Sequence, residues 1–174
     1  LVDTERGVSG YALSSNNTNG TYSSSNLVTA FNSNGFTVGA NGTTGSNGQD
    51  YTSWTFRKAP GLFDVVTWAG NESNPRQIAH NLGSVPGMII VKSLSTGNWY
   101  VYHRSLNNGS NPGNYRLRLE LPNPMENGLS TFSATATSTH FTVSTNCNQA
   151  KDYVAYVFAH DDASFGTDGD ESII

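Results

Sequence analysis

The stretch Met88-Ile89-Ile90-Val91-Lys92 runs apolar, breaks at Ser95-Thr96-Gly97, and turns aromatic in Asn98-Trp99-Tyr100-Val101-Tyr102-His103. Apolar runs this short, parted by turn-forming residues, read as β-strands, because a helix needs a longer span and a 3.6-residue period. The same layout continues outward. Residues 51–56 and 62–68 precede it, and Tyr115-Arg116-Leu117-Arg118-Leu119-Glu120-Leu121 follows with polar and apolar residues alternating. That alternation marks a strand with one wet face. Residues 131–137, Phe141-Thr142-Val143 and residues 153–160 complete the downstream set. Upstream, Leu27-Val28-Thr29-Ala30-Phe31 and Phe36-Thr37-Val38 flank Asn32-Ser33-Asn34-Gly35, where Asn-Gly offers the positive-φ positions of a tight hairpin. No window holds an i, i+3, i+4, i+7 apolar pattern. The expected fold is all-β, an antiparallel β-sandwich of jelly-roll type, with residues 88–92 and 153–158 as central buried strands.

Composition agrees. Of 174 residues only 13% are charged, against about 25% in ordinary domains. Asn, Ser and Thr fill the gap at roughly a third of the chain. Coiled coils and helical bundles draw on Ala, Glu, Lys and Leu instead, and the 11% of aromatic residues is too high for a disordered chain. The nine Lys and Arg are scattered and the net charge is −4, so nucleic acid is not an expected partner. The longest apolar run, Tyr153-Val154-Ala155-Tyr156-Val157-Phe158-Ala159, falls far below the ~20 residues of a membrane helix, so no membrane partner is expected. A single cysteine, Cys147, excludes an intrachain disulfide and a cysteine zinc site, and reads as a small residue in an Asn-rich loop.

Comparing the chain with itself yields an internal echo. Phe36-Thr37-Val38, a polar loop, then Asp50-Tyr51, Trp54 and Phe56 is matched by Phe141-Thr142-Val143, a polar loop, then Asp152-Tyr153, Tyr156 and Phe158. Both read Phe-Thr-Val, loop, Asp-Tyr-x-x-aromatic-x-Phe, and loop length is cheap to vary. On this reading residues 61–160 form a complete sandwich unit. Residues 1–60 are then the back half of a preceding repeat, or extra strands of the same sandwich. Residues 161–174 form an acidic lead into a following segment, and the whole is expected to be cut from a longer modular chain.

Few residues carry a chemical signature. None of His80, His103, His140 and His160 has a second His or a Cys at ligand spacing. His80, in Ile78-Ala79-His80-Asn81-Leu82-Gly83-Ser84-Val85-Pro86-Gly87, reads as a side chain bonded to the backbone of its own turn. No Gly-x-Ser-x-Gly elbow occurs, and Glu120 and Glu126, across the turn Leu121-Pro122-Asn123-Pro124, lack support as a glycosidase pair. No glycine loop opens a helix, so no cofactor is expected. The acidic tail, with Asp161, Asp162, Asp168 and Asp170, could attract calcium but lacks a binding-loop spacing, so no metal is expected. Trp54, Trp68 and Trp99 read as core residues. Within residues 99–104 the period of two puts Trp99, Val101 and His103 on one face and Tyr100, Tyr102 and Arg104 on the other. Aromatic rings beside amides suit sugars. Any ligand contact is therefore expected at Trp99, Tyr102 and Arg104 with Asn107 and Asn108 of the adjoining loop.

Several of these stretches resemble repeats of virion structural and tail-fibre proteins of marine, especially cyanobacterial, bacteriophages. The resemblance rests on residues 51–66, beginning Tyr51-Thr52-Ser53-Trp54, on residues 78–92, on Asn98-Trp99-Tyr100-Val101-Tyr102-His103-Arg104-Ser105-Leu106, and on residues 153–161. It implies tandem β-sandwich units, a non-enzymatic structural role in a tail fibre or other appendage, and partners that are copies of the chain or other virion proteins. It places the chain in the virion, assembled in the host cytoplasm. It brings no catalytic residues. A lectin-like module recognising host surface polysaccharide is the alternative, and a glycan-cleaving enzyme the remoter one.

Overall fold

The structure is a computed structural model that describes residues 1–8, 11–23 and 26–160. It contains ten strands: β1 (Val28–Asn32), β2 (Gly35–Val38), β3 (Phe63–Ala69), β4 (Arg76–Ala79), β5 (Pro86–Ser93), β6 (Trp99–His103), β7 (Tyr115–Arg118), β8 (Glu126–Asn127), β9 (His140–Val143) and β10 (Asp152–Ala159). Among the described residues there is no α-helix, only three short 3-10 turns. Six strands form one sheet in the order β3-β10-β5-β6-β7-β8, and every neighbouring pair is antiparallel. The β4–β9 pair forms a second layer and β1–β2 a separate hairpin. The expected all-β, antiparallel sandwich is the fold.

β10 sits between β3 and β5, with Tyr156 facing Val65 on one side and Ile90 on the other. Its apolar run is continuous because both faces are covered. On one face Tyr153, Ala155 and Val157 join Trp68, Ile89, Val91 and Tyr102 against Ile78, Phe141 and Val143 of the second layer. Trp68 stacks on Tyr153 at 5.3 Å between ring centroids, meets Phe141 edge-on, and donates its indole N–H to the Cys147 carbonyl at 3.0 Å. On the other face Val154 and Tyr156 join Phe63, Val65 and Trp99 beneath Leu13.

That second face is roofed by residues 1–8 and 11–23, which contribute no strand to the sheet. Asp3 and Arg6 form an almost fully buried ion pair at 2.6 Å. The Tyr156 hydroxyl donates to Asp3 Oδ2 and receives a hydrogen bond from Arg6, both at 2.9 Å. A buried charge pair holds only when its remaining hydrogen-bonding capacity is met, and Tyr156 meets it from the sheet. Trp99 donates its indole N–H to the carbonyls of both Ser14 and Asn17 at 3.1 Å. The roof therefore packs on the same sheet as residues 61–160.

Buried polar groups fasten the loops of the second layer. Asp64 accepts from the Asn81 amide at 2.7 Å and pairs with Lys58 at 3.0 Å. His80 accepts from the Leu82 amide through Nδ1, which leaves Nε2–H to donate to the Thr137 carbonyl at 3.1 Å. The sequence reading of His80 as a turn-bonding side chain holds. Fully buried Asn148 bonds the backbone of Ser73 and Asn71 and the Arg76 guanidinium. Gly70 is required beside it, because a Cβ there would lie 1.7 Å from the Gln149 carbonyl oxygen.

The internal echo is not structural. Phe141 and Val143 are buried in β9, whereas Phe36 and Val38 are exposed in β2 (Phe36 36%, Phe141 1%). Tyr153 and Phe158 lie in the central strand, whereas residues 51–56 belong to no strand and every one of them is exposed. The same local pattern has taken two environments, because only the second copy has a sheet on both sides to pair with. Trp54, expected in the core, is 85% exposed; Trp68 and Trp99 are core, as expected. Residues 131–137 give only a bridge from Phe132 to Val143, and the strand expected to reach Leu121 ends at Arg118. The hairpin loop is Ser33-Asn34, with Asn32 paired to Gly35; Gly35 (φ 155°) carries the positive φ, not Asn34.

Two outcomes test this construction. Trp99→Ala should lower the unfolding free energy by about 3–5 kcal/mol in urea denaturation, since it empties a packed site and strands two carbonyls. A loss below about 1 kcal/mol would mean that the roof does not close over this face. Burial pushes the His80 imidazole below its ordinary value of 6.5, outweighing the Thr137 carbonyl and Asp64, which favour the proton. The native ring stays neutral where the unfolded ring protonates. Its contribution is therefore full above about pH 6.5 and lost as the pH falls below it. The urea midpoint should drop between about pH 7.5 and about pH 5, and His80→Asn should remove part of that drop; an unchanged pH dependence in the variant would refute the assignment.

Candidate functional site

The residues expected to hold a ligand are not brought together. Trp99 is fully buried beneath residues 14–17. Tyr102 is buried on the opposite face of the sheet, edge-on to Phe132 at 5.8 Å. The period of two therefore holds, but both faces are interior, and neither ring is offered to solvent. Arg104 is exposed just beyond the far end of β6, about 16 Å from Trp99 at ordinary strand rise. Asn107 (φ 52°) and Asn108 (φ 56°) adopt left-handed backbone, which Asn tolerates better than most residues. The Asn107 amide donates to the Ser110 carbonyl at 2.9 Å. These two asparagines shape a turn. The cluster Asp161, Asp162, Asp168 and Asp170 lies outside the described residues; among the described residues no group of three or more His, Cys, Asp or Glu could hold a metal ion.

The carboxylates beside the Pro-rich turn serve the sheet edge. Glu126 pairs with Arg116 at 3.2 Å and Arg118 at 3.1 Å. Hydrogen bonds from Asn123, then from Arg118 and Arg116, hold its carboxyl below the usual range. Glu120 accepts the Trp99 backbone N–H at 3.1 Å. Cys147, in the Asn-rich loop between β9 and β10, is buried in the core beneath Trp68, and burial pushes its thiol far up.

Two other features stand out. The first is a polar depression of about 260 Å³ at the end of the sheet where β5 turns into β6. Its walls are the turn residues Thr96, Gly97 and Asn98, Thr18 from the roof, Tyr100 and Tyr153 from the sheet, and Asn146, Cys147, Gln149 and Lys151 from the loop between β9 and β10. The turn is tied to the roof by the Gly97 amide, which donates to the Thr18 carbonyl at 2.9 Å. Asn98, in the amide orientation that suits its neighbours, donates to Glu120 at 2.9 Å and accepts from Arg118 at 2.8 Å and from the Tyr100 hydroxyl at 3.3 Å. Arg116 lies 5.0 Å over the Tyr100 ring and fixes it from behind. Sequence reading missed this site because its residues come from four separate segments, none with a motif. Beneath the turn, Lys92 is fully buried, donates to the Ser93 and Ser95 carbonyls at 2.7 and 3.0 Å, and lies 5.9 Å from the Trp99 ring centre. Burial brings its ammonium down to about 8, with Glu120 opposing and Lys151 adding to the shift.

The second feature is the region between the roof and β3. Every residue of β2 is exposed, and residues 47–58 are exposed throughout without forming a strand. Phe31, Phe36, Tyr51, Trp54 and Phe56 all present apolar surface there. Phe56 roots this arm on the sandwich, with ring centroids 5.5 Å from Phe63 and 5.4 Å from Phe158.

No curated protein and no solved structure matches the chain. A family model, described as a domain of unknown function, DUF7483, matches residues 1–166. That match takes in the roof, the arm and the sandwich together, and the chain belongs to the DUF7483 family.

Proposed function

We propose that the chain is a non-enzymatic structural module that works by packing against neighbouring copies of itself in an assembled particle. The observation that carries this is the arm, with Trp54 85% exposed and Tyr51 and Phe56 about half exposed in a backbone that makes no strand. Exposed apolar surface of this kind, concentrated on one segment, marks an interaction site. A segment that pairs with no strand among the described residues suits strand addition to a neighbouring unit. Low surface charge supports close packing of like units, since no strong field of one sign opposes it. The resemblance of residues 51–66, 78–92, 98–106 and 153–161 to phage repeats supports reading the particle as a phage virion, with the module part of a tail fibre or other surface appendage.

Self-association is the test. Sedimentation should show the chain assembling as concentration rises, with Trp54 emission shifting to the blue as the ring leaves water. Trp54→Ser should weaken association about tenfold or more while leaving the melting temperature unchanged, because the ring makes little intrachain contact. A chain that stays monomeric, with Trp54 solvated at every concentration, would overturn the proposal.

A further inference from the structure

We infer that the depression at the β5–β6 turn is a binding site for an acidic sugar residue, a uronate unit of a polysaccharide. This goes beyond the assembly role and uses none of the residues of the arm. The first argument is charge. Lys151 is the one charged residue in the lining, which holds no carboxylate. Its ammonium makes no hydrogen bond or ion pair among the described residues, while Arg6, Lys58, Arg116 and Arg118 are all paired. In a chain of net charge −4, an unpaired cation beside a cavity without acids selects an anionic group over a neutral or cationic one. One cation matches one carboxylate; it does not match a polyphosphate.

The second argument is the remaining lining. The Thr18 and Thr96 hydroxyls and the Gln149 amide have no side-chain hydrogen-bond partners among the described residues, and all three residues line the depression. Tyr100, partly exposed, supplies ring surface to one wall, while Tyr153, 1% exposed and stacked on Trp68, closes the wall without offering a ring face. Free hydroxyls and an amide above aromatic carbon fit a ligand that is itself an apolar ring edged with hydroxyls. A bare inorganic anion would leave those groups unused, and an apolar ligand would strand them. The third argument is rigidity. The turn is tied to the roof through Gly97, Tyr100 is held by Arg116 and Asn98, and Lys92 holds the turn carbonyls from below. A site fixed in this way loses little entropy when it binds.

The test is ligand-observed NMR or calorimetry on the 174-residue chain with oligogalacturonate, its methyl ester and inorganic phosphate. Oligogalacturonate should bind and the methyl ester should bind at least about tenfold more weakly, since a charge-assisted hydrogen bond is replaced by a neutral one. Phosphate should compete only weakly. Lys151→Gln should weaken the acidic sugar by a similar factor at unchanged melting temperature. Thr96→Val, on an exposed turn position, should weaken both sugars by a smaller factor. Equal binding of acid and ester, full displacement by phosphate at equal concentration, or no effect of either substitution would each overturn the inference. A monomeric chain that still binds oligogalacturonate would refute the assembly role alone.

Discussion

The structure depends on where β10 lies. The last strand of the sandwich enters the middle of the sheet, between β3 and β5, so its backbone is paired on both edges and its side chains are buried on both faces. A strand in that position creates two apolar surfaces, each of which must be covered. The β4–β9 layer covers one and the roof the other. The remaining contacts follow from this demand. Trp68 bridges β3 to the second layer, Trp99 bridges β6 to the roof, and each indole gives its N–H to a backbone carbonyl of the cover it meets. Tryptophan suits such a seam because it couples a large apolar area to one directed polar contact.

The chain builds this with few charges, and it buries several of its polar groups. Asp64, His80, Lys92 and Asn148 are all interior, and each is bonded mainly to backbone amides or carbonyls of a turn. Such bonds set loop geometry where no regular ladder exists, at a net gain of about 1 kcal/mol each. A sequence rich in Asn, Ser and Thr can place them freely, because short polar side chains reach local backbone without competing for a core. The large polar fraction of this chain therefore specifies its loops as much as it wets its surface.

Most of the sheet was legible in the sequence, as was β9 of one cover; β8, β4 and the roof were not. β3, β5, β6 and β10 each carry an apolar run long enough to identify a buried strand, and the period of two in residues 99–104 correctly divided Trp99 from Tyr100 and Tyr102. It did not say that both faces were interior, since periodicity separates faces without telling what lies against them. β4, with Ile78 as its only large apolar side chain, gave no signal. Residues 51–56 gave a strong strand signal and form no strand, because strand propensity requires a partner and none within the described chain is aligned with them. The polar depression assembles Thr18, Thr96, Tyr100 and Lys151 from distant segments, so nothing local marks it.

The bond between Tyr156 and the Asp3–Arg6 pair has a mechanical meaning. It joins residues 153 positions apart, so that residues near the two limits of the described chain meet at one point on the sheet. Tension applied between residue 3 and residue 160 runs through this clasp and a few residues of β10. On either side of the clasp, β10 is held by its hydrogen bonds to β3 and β5, which would have to yield together for the strand to leave the sheet. A pull between residues 3 and 160 would therefore meet the buried ion pair and the central strand of the sheet together.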